Sequence, residues 1–320
     1  MSLRTNHQRM KMYKTLFTTL SASSILCFTA IAQNPASIDS TGLPGDDFSL
    51  QGALEMFQQA ASPEDFEKKI NDVNNNVNNL DLNGDGEVDY IRVVSRKEDD
   101  VHILVLQAPI SANENQDIAV IEIEKNGIAS ALLQIIGDEE IYGETVIVEP
   151  DGDEEDIAYL NELFNIGANA GPSANIHTIS ANRIIVNVWG WPSVRFIYAP
   201  GYRVWISPWR WRSYPTAWRP WRPFSYSVWY PRRAVYLRRP YVVVTTHRVV
   251  RAHSVYTPIR VTSVSVRNRN SVAMKNYRVS RTRTTITGPK GNKVTKTTKT
   301  VSGPRGNTRA KKTTVRRRRG

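Results

Sequence analysis

The chain has 320 residues, 40% of them hydrophobic, one of them cysteine, and a formal net charge of +12. That length allows two ordinary domains, and a single cysteine excludes a disulfide-stapled scaffold. The net charge conceals a polarity: all 30 acidic residues lie between Asp39 and Glu162, where six basic residues leave −24, whereas Leu163–Gly320 holds 32 Lys and Arg and no acid. Such polarisation points either to two functional parts, one facing a polyanion, or to two halves that neutralise each other.

Residues 1–32 read as a signal peptide. Lys11 and Lys14 precede an uncharged run, Thr15–Ala32, whose apolar content is Leu16, Phe17, Leu20, Ile25, Leu26 and Phe28. It closes on Ala30-Ile31-Ala32 before Gln33, the small-x-small pattern of a cleavable leader. The run is marginal in length for a membrane span. Cys27 is expected to leave with the leader, and Leu26 stands where a lipoprotein signal wants a small residue. The expected location is secreted or periplasmic, including association with the outer membrane.

After a linker at 33–44, residues 45–166 are expected to form an acidic α+β domain, a small antiparallel sheet with two N-terminal helices. Leu50, Leu54, Phe57 and Ala61 share one helical face. Ser62-Pro63-Glu64-Asp65 suits the start of a second helix, with Ser62 as cap and two acids opposing the dipole. Strands are predicted at Tyr90–Ser95, Val101–Gln107, Ile118–Glu124, Ala129–Ile136 and Thr145–Val148, and a short helix at Ile157–Ile166. Glu122 and Glu124 alternate with Ile121 and Ile123, as on a sheet with one wet face.

The most specific motif is Asp81-Leu82-Asn83-Gly84-Asp85-Gly86-Glu87-Val88-Asp89. Side-chain oxygens of Asp81, Asn83, Asp85 and Asp89 stand at alternate positions, Glu87 offers its carbonyl, and Gly86 permits the sharp turn that a Ca2+ wrap needs. The loop resembles those of EF-hand and dockerin-type proteins. It departs from them at the twelfth position, Arg92 instead of a bidentate Glu, and in leading into a strand. Weak, structural Ca2+ binding is therefore expected, with a Gly/Asp turn that holds no metal as the alternative. Asp151–Asp156 lacks the alternate spacing and reads as a solvated linker.

Past a linker at 167–182, the composition changes. Residues 183–260 contain all eight Trp, 14 Arg and no Lys. Strands are predicted at Arg183–Trp189, Val194–Tyr198, Tyr202–Ile206, Tyr241–Thr245 and Arg248–Val250, with an extended, proline-interrupted segment from Ser207 to Pro223. Guanidinium groups bind phosphate and carboxylate in bidentate fashion and stack on aromatic faces. Trp209, Arg210, Trp211, Arg212, Trp218, Arg219, Trp221 and Arg222 are thus candidate polyanion-binding residues. In composition alone, about 35 residues here resemble Trp/Arg/Pro-rich antimicrobial peptides. The alternative is a compact β-rich subdomain held by Arg–Trp stacking.

Residues 261–320 are a basic low-complexity tail, expected to be partly β but largely irregular or disordered. Gly288-Pro289-Lys290-Gly291-Asn292 recurs as Gly303-Pro304-Arg305-Gly306-Asn307, two turn signals, and Arg316, Arg317, Arg318 and Arg319 form a terminal basic run that suits a polyanion. Of the histidines beyond the leader, His102, His177, His247 and His253, none has metal-ligand spacing to a second strong ligand. Hydrolase, phosphate-loop and HExxH motifs are missing, so no enzyme is expected.

The order of leader, two helices, Asp81–Asp89 loop running into Tyr90-Ile91-Arg92-Val93, and Trp/Pro/Arg region resembles a group of uncharacterised secreted bacterial proteins. The resemblance spans roughly residues 45–225 and implies export and a calcium-type loop, but no activity. Two function classes follow. One is an exported, non-enzymatic envelope protein whose cationic aromatic tail binds lipopolysaccharide, acidic polysaccharide or extracellular DNA. The other is a self-assembling structural protein joined through acidic-domain to basic-tail contacts.

Overall fold

A computed structural model describes residues 40–151, 185–237, 239–287, 293–302 and 308–318. The leader, the predicted helix at 157–166, the 167–182 linker, His177, both Gly-Pro turns and Arg319 lie outside the described residues.

The two expected helices are present as α1 (Leu50–Gln59) and α2 (Pro63–Ile70). Ser49 and Ser62 cap them, accepting from the backbone N–H of Gly52 and Asp65. A meander follows: β1 (Arg92–Glu98), β2 (Val101–Pro109), β3 (Asn115–Gly127), β4 (Ser130–Gly137), the single-turn helix α3 (Glu139–Tyr142) and β5 (Val146–Pro150). Every pairing is antiparallel. The fold is the α+β arrangement of helices on an antiparallel sheet.

The basic half completes this sheet. β6 (Tyr241–Val244) pairs with β5, Val243 opposite Val148, making six strands in the order β1 to β6. Of the other strands predicted in this half, Val194–Tyr198 is instead helical, α4 (Pro192–Ile197). Pro192 fixes the first-turn φ, and Val194 and Ile197, three apart, reach the core together. Val188–Gly190 is a 3-10 turn, Ile206 makes only an isolated bridge to Val94, and Val250 opens helix α6 (Val250–Tyr256). Helices α5 (Tyr226–Leu237) and α7 (Val264–Asn276) complete the region. Ser207–Pro223 has no helix or named strand, as its prolines require.

The sheet carries a core on each face. On one, Ala119, Ile121 and Ile123 of β3 pack with Leu54 and Phe57 of α1, Phe66 of α2, and Trp191, Val194 and Ile197. On the other, Val120 of β3 packs with Ile103, Val105, Ile136 and Ile147 beneath Val249, Ala252 and Tyr256 of the α6 segment. The predicted wet face is therefore covered. The apolar/polar alternation that signals water on one side here signals a second layer that brings its own polar partners.

Farther on, β7 (Arg278–Thr287), β8 (Lys293–Ser302) and β9 (Thr308–Arg318) form a three-stranded antiparallel sheet. The repeated Gly-Pro segments fall between its strands, and Arg316, Arg317 and Arg318 lie on β9. Among the described residues no helix is long and apolar enough to cross a membrane.

Candidate functional site

Three sets of residues bear on function: the 81–89 loop, the Trp/Arg segment, and the polar contacts that hold the second layer on the sheet.

The loop curls as its spacing dictates. Asp81 accepts from the N–H of Gly84 and Gly86 at 2.6 and 2.9 Å. Asn83 accepts from Asp85, and Asp85 from Glu87. Gly84 (φ +75°) and Gly86 (φ +86°) sit in the left-handed region where a Cβ is strained. Asp89 is buried, accepts from Leu82 N–H and Asn83 Nδ2, and burial pushes its carboxyl up to about 7. Asp81, Asn83, Asp85 and Glu87 reach solvent. Oxygen donors of the kind Ca2+ takes are present, but the loop's carboxylates do not gather as a close group of three. Arg269 of α7 also donates to the Leu82 carbonyl.

Residues 186–224 run as a belt over the α1–α2 side. Three of its tryptophans are anchors. Trp191 meets Phe57 edge-on, centroids 6.4 Å apart. Trp205 Nε1 donates to Glu67 Oε2 at 3.1 Å and Trp218 Nε1 to the Asn71 carbonyl at 3.0 Å. Glu67 is buried and also accepts from Tyr90 OH, Ser207 Oγ and Val93 N–H. A buried carboxylate is tolerable only with such partners. Burial raises its pKa, and the four donors oppose that rise.

The belt's arginines are arranged the opposite way. Arg210, Arg212, Arg219 and Arg222 are exposed. Among the described residues none of the four is within ion-pair distance of a carboxylate. Arg212 lies over the Trp211 ring, 4.4 Å from its centroid. Trp218, Trp221, Tyr90, Lys68 and Arg219 border a cleft of about 420 Å³, with the four rings of Tyr90, Tyr214, Trp218 and Trp221 packed at 4.9–6.1 Å. Trp209, Trp211, Trp218 and Trp221 are all half-buried; Trp218 packs on Tyr90 and Trp221 on Trp218, Trp211 lies beneath Arg212, and the four guanidinium groups are exposed.

Residues 246–267 behave differently and form a clasp over the second sheet face. Arg260 pairs with Asp138 at 2.6 Å and with Glu139 at 3.1 Å, Arg248 with Glu149, Arg251 with Glu124 and Arg267 with Glu140. Glu124 also accepts from Ala252 N–H and thereby caps α6, which lacks a cap from its own N-cap side chain. Asp117 accepts from Val261 N–H, Tyr256 OH and Gln107 Nε2. Burial pushes its carboxyl up to about 6.

Glu122, predicted on an exposed strand face, is fully buried under the clasp. Its Oε2 lies 2.6 Å from His247 Nε2 and its Oε1 2.9 Å from His253 Nδ1. None of the histidines has metal-ligand spacing along the chain, yet the fold brings two of them to one carboxylate. The spacing along the chain hides the cluster because Glu122 comes from β3, His247 from the loop after β6, and His253 from α6. Burial pushes Glu122 up to about 9 and both imidazoles down. His102 is structural: it is buried on β2 against Tyr198 and Tyr202, and burial lowers it to about 4.

Compared with known protein families, curated proteins and solved structures, the chain shows no significant match.

Proposed function

We propose that this is an exported, non-enzymatic envelope protein whose belt binds polyanions, with lipopolysaccharide, acidic polysaccharide and extracellular DNA as the classes its chemistry suits. A weak structural Ca2+ site in the 81–89 loop belongs to the same reading. The observation that carries it is the inverted arrangement of the belt. Trp191, Trp205 and Trp218 are fixed to the domain, while Arg210, Arg212, Arg219 and Arg222 are exposed with no carboxylate partner among the described residues. Anchored rings hold the guanidinium groups in place before binding, which lowers the ordering cost. Bidentate geometry then favours phosphate and carboxylate. The basic run ending in Arg319 would add salt-sensitive attraction.

Self-assembly through acid-to-base contacts is the competing reading. Against it, Asp138, Glu124, Glu140 and Glu149 are already paired with the clasp of their own chain.

The test is titration of the protein with lipopolysaccharide and with duplex DNA at two salt concentrations, before and after replacing Arg210, Arg212, Arg219 and Arg222 by Ala. The expected result is a loss of affinity of about tenfold or more. For DNA, the slope of log K against log salt should become shallower by up to about 4, near one unit for each phosphate that is no longer neutralised. Unaltered affinity for both ligands removes the belt from the proposal. Salt-sensitive oligomers without added ligand favour self-assembly.

A further inference from the structure

The belt and the 81–89 loop leave Glu122, His247 and His253 without a role. We propose that these three side chains form a binding site for a divalent transition-metal ion of the zinc class, one that fastens the clasp to the sheet. One carboxylate oxygen and two imidazole nitrogens, each from a different segment, lie within 4.8 Å of one another. Two imidazoles with one carboxylate is a donor set that zinc and its neighbours take readily, whereas Ca2+ prefers oxygen alone.

The distances are close to what an ion requires. Ligands about 2.1 Å from a tetrahedral zinc stand about 3.4 Å from each other. The observed separations of 2.6 and 2.9 Å, each to a different oxygen of Glu122, therefore need to open by about 0.5–0.8 Å around the ion. The two imidazole rings, with centroids 4.2 Å apart, keep some solvent exposure. His253 also lines a cavity of about 160 Å³ with Asp138, Glu139, Tyr256 and Arg260.

Charge points the same way. Glu122 is fully buried, and among the described residues the groups within bonding distance of its carboxylate are the two imidazoles, with no Lys or Arg. Its neighbour on the same strand face, Glu124, adds negative potential and is itself engaged by Arg251 and the Ala252 N–H. A carboxylate buried as deeply as that of Glu122 stays ionised only where partners offset its charge. A divalent ion supplies that offset while taking the nitrogen lone pairs of both rings. The inference is independent of polyanion binding, because the belt covers the opposite face of the sheet.

The experiment is calorimetric titration of the tag-free, chelator-treated full chain with Zn2+, repeated on His253→Gln and Glu122→Gln. Co2+ is used in parallel for its visible absorption. One ion per chain is expected at micromolar or tighter affinity, with the intense visible bands of tetrahedral Co2+. His253 is partly exposed, so its replacement should leave the fold intact while affinity falls tenfold or more and the Co2+ bands collapse. Glu122→Gln should act in the same direction. A wild-type chain that takes up no Zn2+ overturns the site. So does a His253→Gln protein, folded by circular dichroism, that binds with unaltered affinity.

Discussion

The belt and the clasp come from one basic stretch of sequence and put the same residue type to opposite uses. In the belt, the Trp191, Trp205 and Trp218 rings face the protein, and Arg210, Arg212, Arg219 and Arg222 face solvent. In the clasp, arginines and histidines face the protein: Arg248, Arg251, Arg260, His247 and His253 all meet carboxylates of the sheet. The difference teaches that the charge polarity of the chain is not one device. Part of the positive charge neutralises the acidic half within the molecule, and part is exposed to solvent. Each region is fixed by buried carboxylates, Glu67 under the belt and Asp117, Glu122 and Asp138 under the clasp, and these are the points at which to separate them.

The largest effect is expected at Glu67. Replacing it by Ala strands the Tyr90 and Ser207 hydroxyls, the Trp205 indole N–H and the Val93 N–H. Removing one partner of a buried charged network costs about 3–5 kcal/mol. Urea denaturation should show that loss, with tryptophan fluorescence red-shifted as the belt loosens. If stability falls by less than about 1 kcal/mol, the net value of an ordinary hydrogen bond, Glu67 does not anchor the belt.

Arg260→Ala is the matching cut in the clasp. It leaves Asp138 buried without its cation, although Asp138 still caps α3 through the Glu140 N–H. Because Arg260 keeps some exposure, a loss nearer 2–3 kcal/mol is expected. The two variants should also differ in kind. Arg260→Ala should leave polyanion binding by the belt at its original affinity, and Glu67→Ala should weaken it. Equal loss of binding in both would mean that belt and clasp act as one unit.

Titration of Asp117 gives a third, smaller separation. Burial raises its pKa from the usual carboxylate range to about 6. The folded state therefore holds the proton more tightly than the unfolded one. The stability this contributes is complete below the unfolded value near pH 4 and is lost as pH rises through about 6. A shift of that size corresponds to about 2–3 kcal/mol. Since Asp47 and Asp89 are raised as well, the readout is the difference between wild type and Asp117→Asn across pH 4–7. The gap should change by about that amount over the window. A constant gap means that Asp117 stays ionised throughout, held so by Val261, Tyr256 and Gln107.

What the sequence conveyed follows the range of the forces involved. The caps Ser49 and Ser62, the faces of α1 and α2, and the β2–β5 meander depend on neighbours within a few residues, and they are legible. The wet face assigned to Glu122 and Glu124 was not, because its cover arrives from residues 246–267. α4 reads as a strand from its Val, Phe and Ile, and only Pro192 and the burial of Val194 and Ile197 against the α1 side make it a helix. The Trp/Arg set was visible by composition, but not the inversion of its rings and charges. Asn71 and Glu67, which hold Trp218 and Trp205, carry no signal in a lone helix.

The smallest expected effect lies at the 81–89 loop, beside the belt, where the Trp221 carbonyl accepts from Val88 N–H. With a dissociation constant near a millimolar, 5 mM Ca2+ stabilises a folded chain by about 1 kcal/mol, a rise of about 2–4 °C in melting temperature for a domain of this size. Asp81→Asn and Asp85→Asn should abolish that rise, while Mg2+ should not reproduce it because it demands a tighter octahedron. If Ca2+ binding also tightens DNA binding by the belt, the Val88–Trp221 hydrogen bond couples loop to belt. If Ca2+ raises melting temperature with no effect on DNA affinity, the loop steadies only the junction of α2 and β1. A melting temperature that ignores Ca2+ means the motif is a turn closed by its own Asp and Asn hydrogen bonds, and the belt then stands without help from metal.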